Sequence, residues 1–332
     1  MPLKVGWVGN SYTYFFDMPG MVAALASGAS PPVAIEHKQA LHGGWTLGQH
    51  WRRSVESAME PTGIGRVDGG ARDLLEEHGP FDFVVLQDQS QTPGFDVSAV
   101  SSADLDAALA AAALDGEGDE FLQEAVDGGG SGPLNRAESL RRLQEDYAPA
   151  ITRCGANIVL YSTWGRQSGQ ENANAPGYAT FVGMLRCLTD GVREYSAVLQ
   201  AAASGGGTPP RIAPAGTAFA LVRAAGDACP VHFDRLYVED KAHPSFAGSY
   251  LVACVFFAVL TGASPVGLSV PDRSTAQGRV VCERAEAWAN AGKDPYSQQR
   301  QEGWVVCELT AEEAKFLQQM AHEAVLGSAP AL

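Results

Sequence analysis

The stretch LKVGWVGNSYT, residues 3–13, joins an apolar run to a short polar loop near the N-terminus. Its first six residues are almost all apolar, which is typical of a buried strand, and Gly9 and Asn10 end the run. A second apolar stretch, MPGMVAALA at residues 18–26, has Pro19 where the first turn of a helix would lie. The N-terminus therefore predicts a strand, a tight loop and a helix.

The alternation of strand-like and helix-like segments continues along the chain. Further strands are predicted at residues 33–41, 81–86, 157–161 and 211–215, and helical segments at residues 47–58, 178–203 and 246–260. Strands that alternate with helices are joined by right-handed crossovers into a parallel sheet with helices on both faces. The predicted class is therefore α/β, and ligands in such folds bind at the carboxyl ends of the strands.

The composition is that of a globular protein, because 45% of the 332 residues are apolar and 18% are charged. The six cysteines form no Cys-x-x-Cys pair, so we expect reduced thiols. The N-terminus lacks the basic and apolar regions of a signal peptide, and the apolar run at residues 246–260 is shorter than the ~18 residues of a membrane span. We therefore expect a cytoplasmic protein with no transmembrane segment.

Negative charge is concentrated in one part of the chain. The formal net charge is −15, and residues 73–135 contain fourteen acidic residues and no lysine or arginine. Such a field repels phosphate groups and anionic lipids, so we expect neither nucleic acid nor a membrane as a partner. The alternative interpretation is a solvated surface that only aids solubility.

Two segments extend the alternating pattern within what we interpret as a single domain, residues 1–332. Residues 96–133 are rich in Ala, Asp and Gly and predict an acidic insertion, which we interpret as a lid. Residues 264–332 predict a C-terminal helical extension, in which Thr310 and Glu313 match a capping box.

Ser11 lies in the loop Gly9-Asn10-Ser11-Tyr12-Thr13, directly after the first predicted strand. A hydroxyl at the carboxyl end of a central strand faces a pocket, and the start of the following helix favours developing negative charge. Ser11 is therefore a candidate nucleophile. The alternative is a serine that only caps the turn or the helix.

Asp240 and His243 lie near the other end of the chain, just before the apolar helix. A serine hydroxyl needs a base whose pKa is near neutrality and a carboxylate that orients this base. An Asp and a His three residues apart can meet through one imidazole nitrogen and leave the other for Ser11. We expect Pro244 to open the helix that follows. A capped turn is the alternative interpretation of the Asp-x-x-His pair.

Together these segments resemble the SGNH (GDSL-like) hydrolase superfamily, in its GNS variant, from residue 3 to about residue 262. Ser11 matches the nucleophile, Gly44 in Gly43-Gly44-Trp45-Thr46 matches the backbone oxyanion donor, and Asp240-x-x-His243 matches the terminal block. The resemblance implies a flavodoxin-like three-layer α/β/α sandwich with a central parallel sheet of about five strands in the order 2-1-3-4-5. It also implies a serine esterase that needs no metal and no organic cofactor.

The third block departs from the superfamily. Where Gly-x-Asn-Asp is usual, this chain has Gln87-Asp88-Gln89-Ser90. The register puts Gln89 at the position of the oxyanion-hole Asn, and its carboxamide could donate the same hydrogen bond. Gln87 is the rival for this role. The predicted oxyanion hole thus consists of the Ser11 and Gly44 N–H groups and the Gln89 side chain.

Five residues on these loops are candidates for substrate contact: Asn10, Tyr12, Trp45, Gln87 and Trp164. The aromatic residues among them could equally serve in packing. We expect a small-molecule ester as the partner, with a small acyl group such as acetyl on a carbohydrate or other polar alcohol. Two alternatives stay open: an acyltransferase that uses the same triad, and a catalytically silent binding module that keeps the fold.

Overall fold

The central feature is a five-stranded parallel sheet in the order β2-β1-β3-β4-β5. The strands are β1 (Leu3–Gly9), β2 (Ile35–Leu41), β3 (Phe83–Leu86), β4 (Asn157–Ser162) and β5 (Arg211–Pro214). Each of the four strand pairs is parallel. The computed structural model describes residues 1–52, 70–95, 136–171, 175–202, 208–290 and 307–327. Within these residues the predicted class, strand number and strand order are confirmed.

Helices cover both faces of the sheet. They are α1 (Ser11–Tyr14), α2 (Met18–Ser27), α3 (Leu47–Arg52), α4 (Ala71–Glu77), α5 (Arg136–Arg142), α6 (Ala148–Cys154), α7 (Phe181–Ala202), α8 (Ala215–Ala225), α9 (Phe246–Thr261), α10 (Ala276–Asn290) and α11 (Ala311–Val325). A single π-helical turn, Leu143–Tyr147, joins α5 to α6. The predicted helix at residues 47–58 is described only to Arg52, and the predicted insertion at residues 96–133 lies outside the described residues.

The two faces of the sheet bury separate apolar clusters. Trp7 and Val85 belong to the cluster with α2, α8, α9, α10 and α11, whereas their neighbours Val8 and Leu86 belong to the cluster with α3, α4 and α7. This division follows from the strand geometry, because successive side chains point to opposite faces. The sheet is therefore buried on both sides, and its carboxyl edge is where polar loops meet.

Helix α9 is buried from Phe246 to Leu260, as expected for a core helix. Our prediction that Pro244 opens this helix is wrong. The N-cap is Ser245, whose hydroxyl accepts a hydrogen bond from the Gly248 N–H at 3.2 Å. Among the residues that the structure describes, no helix has the length and hydropathy needed to cross a bilayer.

The C-terminal segment packs onto the core. Helix α11 lies against α8 and α9, and α10 lies against α2 and the short turn Phe15–Asp17. The predicted capping box is present, since Thr310 and Glu313 each hydrogen-bond the backbone N–H of the other. The extension therefore contacts the segment that follows the candidate nucleophile.

Candidate active site

Ser11, His243 and Asp240 form one hydrogen-bonded chain at the carboxyl edge of the sheet. His243 Nε2 lies 2.8 Å from Ser11 Oγ, and His243 Nδ1 lies 2.5 Å from Asp240 Oδ2. In the tautomer that fits both contacts, Nδ1–H donates to the carboxylate and Nε2 accepts from the serine hydroxyl. The structure thus brings together the three side chains that the sequence predicted would meet.

Ser11 is the first residue of α1, and it does not cap the helix. The cap is Asn10, whose side-chain oxygen accepts the Tyr12 N–H at 3.2 Å. Ser11 is 5% exposed, so its hydroxyl lies in a confined position beside the imidazole.

Asp240 holds both the imidazole and the turn that carries it. Its Oδ1 accepts the backbone N–H groups of Ala242 at 2.8 Å and His243 at 2.9 Å. Burial alone would raise the pKa of Asp240, but the hydrogen bonds and charge of His243 and these N–H groups outweigh it and lower the pKa. The group is therefore a carboxylate at neutral pH. Both interpretations of the Asp-x-x-His pair apply, since Asp240 caps the turn and binds the ring.

The His243 ring is enclosed by aromatic side chains. It stacks on Phe15 with ring centroids 4.5 Å apart and an interplanar angle of 12°, and the Tyr12 ring lies 5.2 Å away. Trp288 of α10 packs against the Phe15 ring at 4.6 Å. Sequence reasoning missed Phe15 and Trp288. The aromatic run directly after the Ser11 loop was the available signal for Phe15, whereas no local pattern marks Trp288.

Asn10 and Gln87 form a closed, buried amide network below the serine loop. Asn10 Oδ1 accepts from the Tyr12 N–H and from Gln87 Nε2, and Asn10 Nδ2 donates to the carbonyls of Trp45 and Asp88. Gln87 Oε1 accepts the Asn10 N–H and the Thr13 hydroxyl, both at 2.8 Å. The Gln87 Nε2 group also donates to the Asp88 carbonyl.

The sequence predicted that Asn10 and Gln87 contact the substrate, whereas the structure shows their amide groups bonded to the protein. An amide oxygen accepts two hydrogen bonds and an amide nitrogen donates two, so both side chains have their full set of protein partners. In the described arrangement both side chains bond to protein groups and fix the loop. The same observation removes Gln87 as a rival to Gln89.

Gln89 and Gly44 lie on the loops that flank Ser11. Gln89 Oε1 accepts the Gln91 N–H at 2.7 Å. Gly44 has a φ of 72°, a left-handed conformation that favours glycine. Both positions are compatible with their predicted roles as oxyanion donors, which stay predictions.

Trp45 packs inside the loop after β2. Its ring stacks on His42 at 3.9 Å and meets the edge of His50 at 5.2 Å. Burial, with a smaller contribution from His42, lowers the pKa of His50 to about 3, so this imidazole is neutral. Trp45 is 7% exposed, and its carbonyl is held by Asn10.

Trp164 supports the site from within the core, which differs from its predicted place at the substrate. Its ring is fully buried between Tyr12 at 4.8 Å and Phe219 at 4.3 Å, and its Nε1–H donates to the Ala242 carbonyl at 3.1 Å. Trp164 therefore braces both the serine helix and the turn that leads to His243. The Tyr12 ring, 3% exposed, takes part in the same packing.

Comparisons with known proteins find solved structures with a similar fold. No protein-family model matches the chain, and no curated protein matches it. A DUF4886 family protein from Bacteroides uniformis superposes with a TM-score of 0.52 at 16% identity, over 100% of this chain and 98% of that chain. A candidate SGNH hydrolase from Slackia heliotrinireducens superposes with a TM-score of 0.46 at 21% identity, over 78% of this chain and 100% of that chain. An extracellular lipase from Streptomyces rimosus superposes with a TM-score of 0.34 at 11% identity, over 79% of this chain and 99% of that chain. At these identities the likeness is one of fold.

Proposed function

We propose that this chain is a serine hydrolase of the SGNH type that cleaves carboxylic esters. The observation that carries the proposal is the hydrogen-bonded chain from Ser11 Oγ through His243 to Asp240 Oδ2, with distances of 2.8 and 2.5 Å. The serine and the histidine are 232 positions apart in sequence, so no local turn accounts for their contact. Nucleophile, base and orienting acid in this order are the arrangement that activates a serine hydroxyl.

The proposed reaction proceeds through an acyl-enzyme. Ser11 Oγ attacks the ester carbonyl while His243 Nε2 takes its proton, and Asp240 stabilises the imidazolium that forms. The imidazolium then gives the proton to the departing alcohol as the carbon–oxygen bond breaks. A water molecule, deprotonated by His243, attacks the acyl-enzyme and releases the carboxylic acid and free Ser11.

Three donors are proposed to stabilise the oxyanion of each tetrahedral intermediate. These are the backbone N–H groups of Ser11 and Gly44 and the side-chain amide of Gln89. One such donor is worth roughly 2.7–4 kcal/mol of the activation barrier. The start of α1 adds a favourable dipole at the same place.

The surroundings of Ser11 favour a small acyl group and a polar alcohol. Ser11 and His243 are 5% and 7% exposed, and the Phe15 ring covers one face of the imidazole. Gln89 and Gln91 follow β3 at the same edge of the sheet and are polar residues with low exposure. We therefore propose acetyl or similar esters of a carbohydrate or another polar alcohol as substrates.

The deciding experiment combines a fluorophosphonate probe with p-nitrophenyl esters of increasing chain length and acetylated sugars. We expect the wild type to be labelled and to hydrolyse the shortest esters best. Ser11→Ala should abolish labelling, and Ser11→Ala and His243→Ala should each lower kcat/KM by more than ~10³-fold, with little further loss in the double variant. Ser249→Ala is a matched control, since Ser249 is a buried serine within α9.

Two results would contradict the proposal. A wild type that is neither labelled nor active would favour a silent binding module of the same fold. Labelling that persists in Ser11→Ala would place the nucleophile elsewhere. If added sugars or alcohols capture most of the acyl group, the same triad serves acyl transfer and water is not the main acceptor.

A further inference from the structure

Asp88 is the second residue after β3, and its buried carboxyl group connects two of the loops at the site. Its Oδ1 accepts the N–H of Leu47 at 2.9 Å and the N–H of Gln89 at 2.8 Å, and its Oδ2 accepts the Tyr195 hydroxyl at 2.7 Å. The residue is 5% exposed. One carboxyl group thus binds the start of α3, directly after the Gly44 loop, the loop after β3 and helix α7.

The Asp88 backbone extends this connection to the serine loop. Its carbonyl accepts Asn10 Nδ2 at 3.3 Å, and the same Nδ2 group donates to the Trp45 carbonyl at 3.1 Å. The Tyr147 hydroxyl donates to the Leu47 carbonyl at 3.0 Å. The chain from Trp45 to Leu47 is therefore held at both ends, immediately after Gly44.

Burying a carboxylate costs free energy, so its retention here needs a reason. Desolvation raises the pKa of Asp88, and hydrogen bonds from Ser139, Leu47, Tyr195 and Gln89 oppose that rise without cancelling it. Both carboxyl oxygens of an aspartate can accept hydrogen bonds, and at Asp88 each oxygen does so. These bonds make a rigid junction between the segment that follows Gly44 and the loop after β3, which must keep a fixed relative position.

A rigid junction is what an oxyanion hole requires. Its donors stabilise the transition state only if they are aimed before the reaction at the place where charge develops. A displacement of about 1 Å can cost on the order of 100-fold in rate. Gln89 is bonded to Asp88 through its own N–H, and Gly44 lies three residues before Leu47, which is bonded to the same oxygen.

We propose that Asp88 is the positioning residue of the oxyanion hole, holding the loops of Gly44 and Gln89 at the distance that the tetrahedral intermediate needs. The inference rests on the proposed function and adds a role for a residue that does not touch the substrate. Asp88 acts through Leu47 and Gln89, so it should affect the transition state more than substrate binding.

The test uses the full-length protein with p-nitrophenyl acetate as substrate and phenylboronic acid as an inhibitor that forms a tetrahedral adduct on serine. In Asp88→Asn we expect kcat to fall by ~10- to 100-fold while KM stays within about twofold. The inhibition constant of phenylboronic acid should rise by a similar factor. Tyr195→Phe, which removes one hydroxyl donor and keeps the ring, should show a smaller change in the same direction.

Ile151→Ala is the control for a general loss of stability. Ile151 is buried in α6 in the same apolar cluster as Leu47, so its truncation creates a core cavity on that face of the sheet but removes no hydrogen bond of Asp88. A drop in kcat in Asp88→Asn with none in Ile151→Ala supports the proposal. Native kcat in Asp88→Asn, or an equal loss in Ile151→Ala, overturns it. An inactive, unlabelled wild type overturns the proposed function and this inference together.

Discussion

The imidazole of His243 lies flat on the ring of Phe15, with centroids 4.5 Å apart and an interplanar angle of 12°. Trp288, from helix α10 in the C-terminal segment, contacts the Phe15 ring, with centroids 4.6 Å apart. The face of an aromatic ring carries negative charge density and attracts a cation. The stack therefore orients the base and stabilises the imidazolium of the proposed reaction, and the C-terminal segment contributes to it.

Replacing Phe15 should impair the chemical step. We expect Phe15→Leu to lower kcat by ~3- to 30-fold, since a cation–π contact of this kind is worth roughly 0.5–2 kcal/mol. Phe15→Tyr keeps the ring face and should retain most of the activity. Steady-state kinetics on a short p-nitrophenyl ester would check this, and equal kcat values in Phe15→Leu and the wild type would refute it.

Asp17 and Arg284 form a second link between the serine segment and α10. Asp17 Oδ2 lies 3.1 Å from Arg284 Nη1, and Asp17 has a φ of 51°. Burial raises the pKa of Asp17 from 3.8 to about 6, although the charge and hydrogen bond of Arg284 lower it. An acid whose pKa is higher in the folded chain binds more protons there, so stability falls as the pH rises from about 4 to about 6.

The free energy of unfolding of Asp17→Asn should lack this pH dependence. As the pH rises from about 4 to about 6, the wild type should lose on the order of 3 kcal/mol in its free energy of unfolding relative to Asp17→Asn. Above pH 6 the difference between the two proteins should stay constant. Arg284→Met removes the cation that lowers the pKa of Asp17, so its pH dependence should extend to higher pH. Urea unfolding at several pH values measures both, and a pH-independent difference for Asp17→Asn would count against the assignment.

Local sequence patterns were sufficient for the sheet. All five strands lie within two residues of their predicted ends. The central strands β1 and β3 are largely apolar runs that a parallel sheet buries on both faces, whereas the edge strand β2 is buried only over its last three residues. The local sequences around Ser11 and Asp240-x-x-His243 were also sufficient to identify these three residues as candidates. The predicted start of the helix at residue 178 was wrong, since Pro176–Ala179 forms a separate 3-10 turn before α7.

Contacts between distant segments could not be predicted in the same way. Asp17 and Arg284 are 267 positions apart, and no periodicity in either segment indicates that they meet. The sequence assigned the oxyanion role to Gln89 by register and left Gln87 as its rival, because both follow the same strand. Only the positions of Asn10 and Thr13 show that the Gln87 amide is already fully bonded.

Trp164 should behave as a structural residue. Trp164→Phe removes the hydrogen bond to the Ala242 carbonyl and part of the buried ring, so we expect a loss of about 1–3 kcal/mol in the free energy of unfolding. KM should change little, because the ring is fully buried. Denaturant unfolding and steady-state kinetics check these two expectations. A several-fold rise in KM at native stability would restore Trp164 to the substrate pocket.

Gly191 in α7 should be intolerant of a side chain. A Cβ atom there would lie 1.6 Å from the Pro93 carbonyl oxygen, in the turn Thr92–Gly94 that follows β3. Alanine is the better helix former by about 1 kcal/mol, but backbone atoms at such a distance must move, so we expect Gly191→Ala to lose at least ~2 kcal/mol of stability. Tyr195 lies one turn further along α7, so the shift would also disturb its bond to Asp88 and lower kcat.

Gly48→Ala is the matched control, since the nearest atom to its Cβ is the flexible end of Arg52 at 3.2 Å. Thermal unfolding compares the two variants, and equal melting temperatures would show that α7 can move away from the turn at no cost.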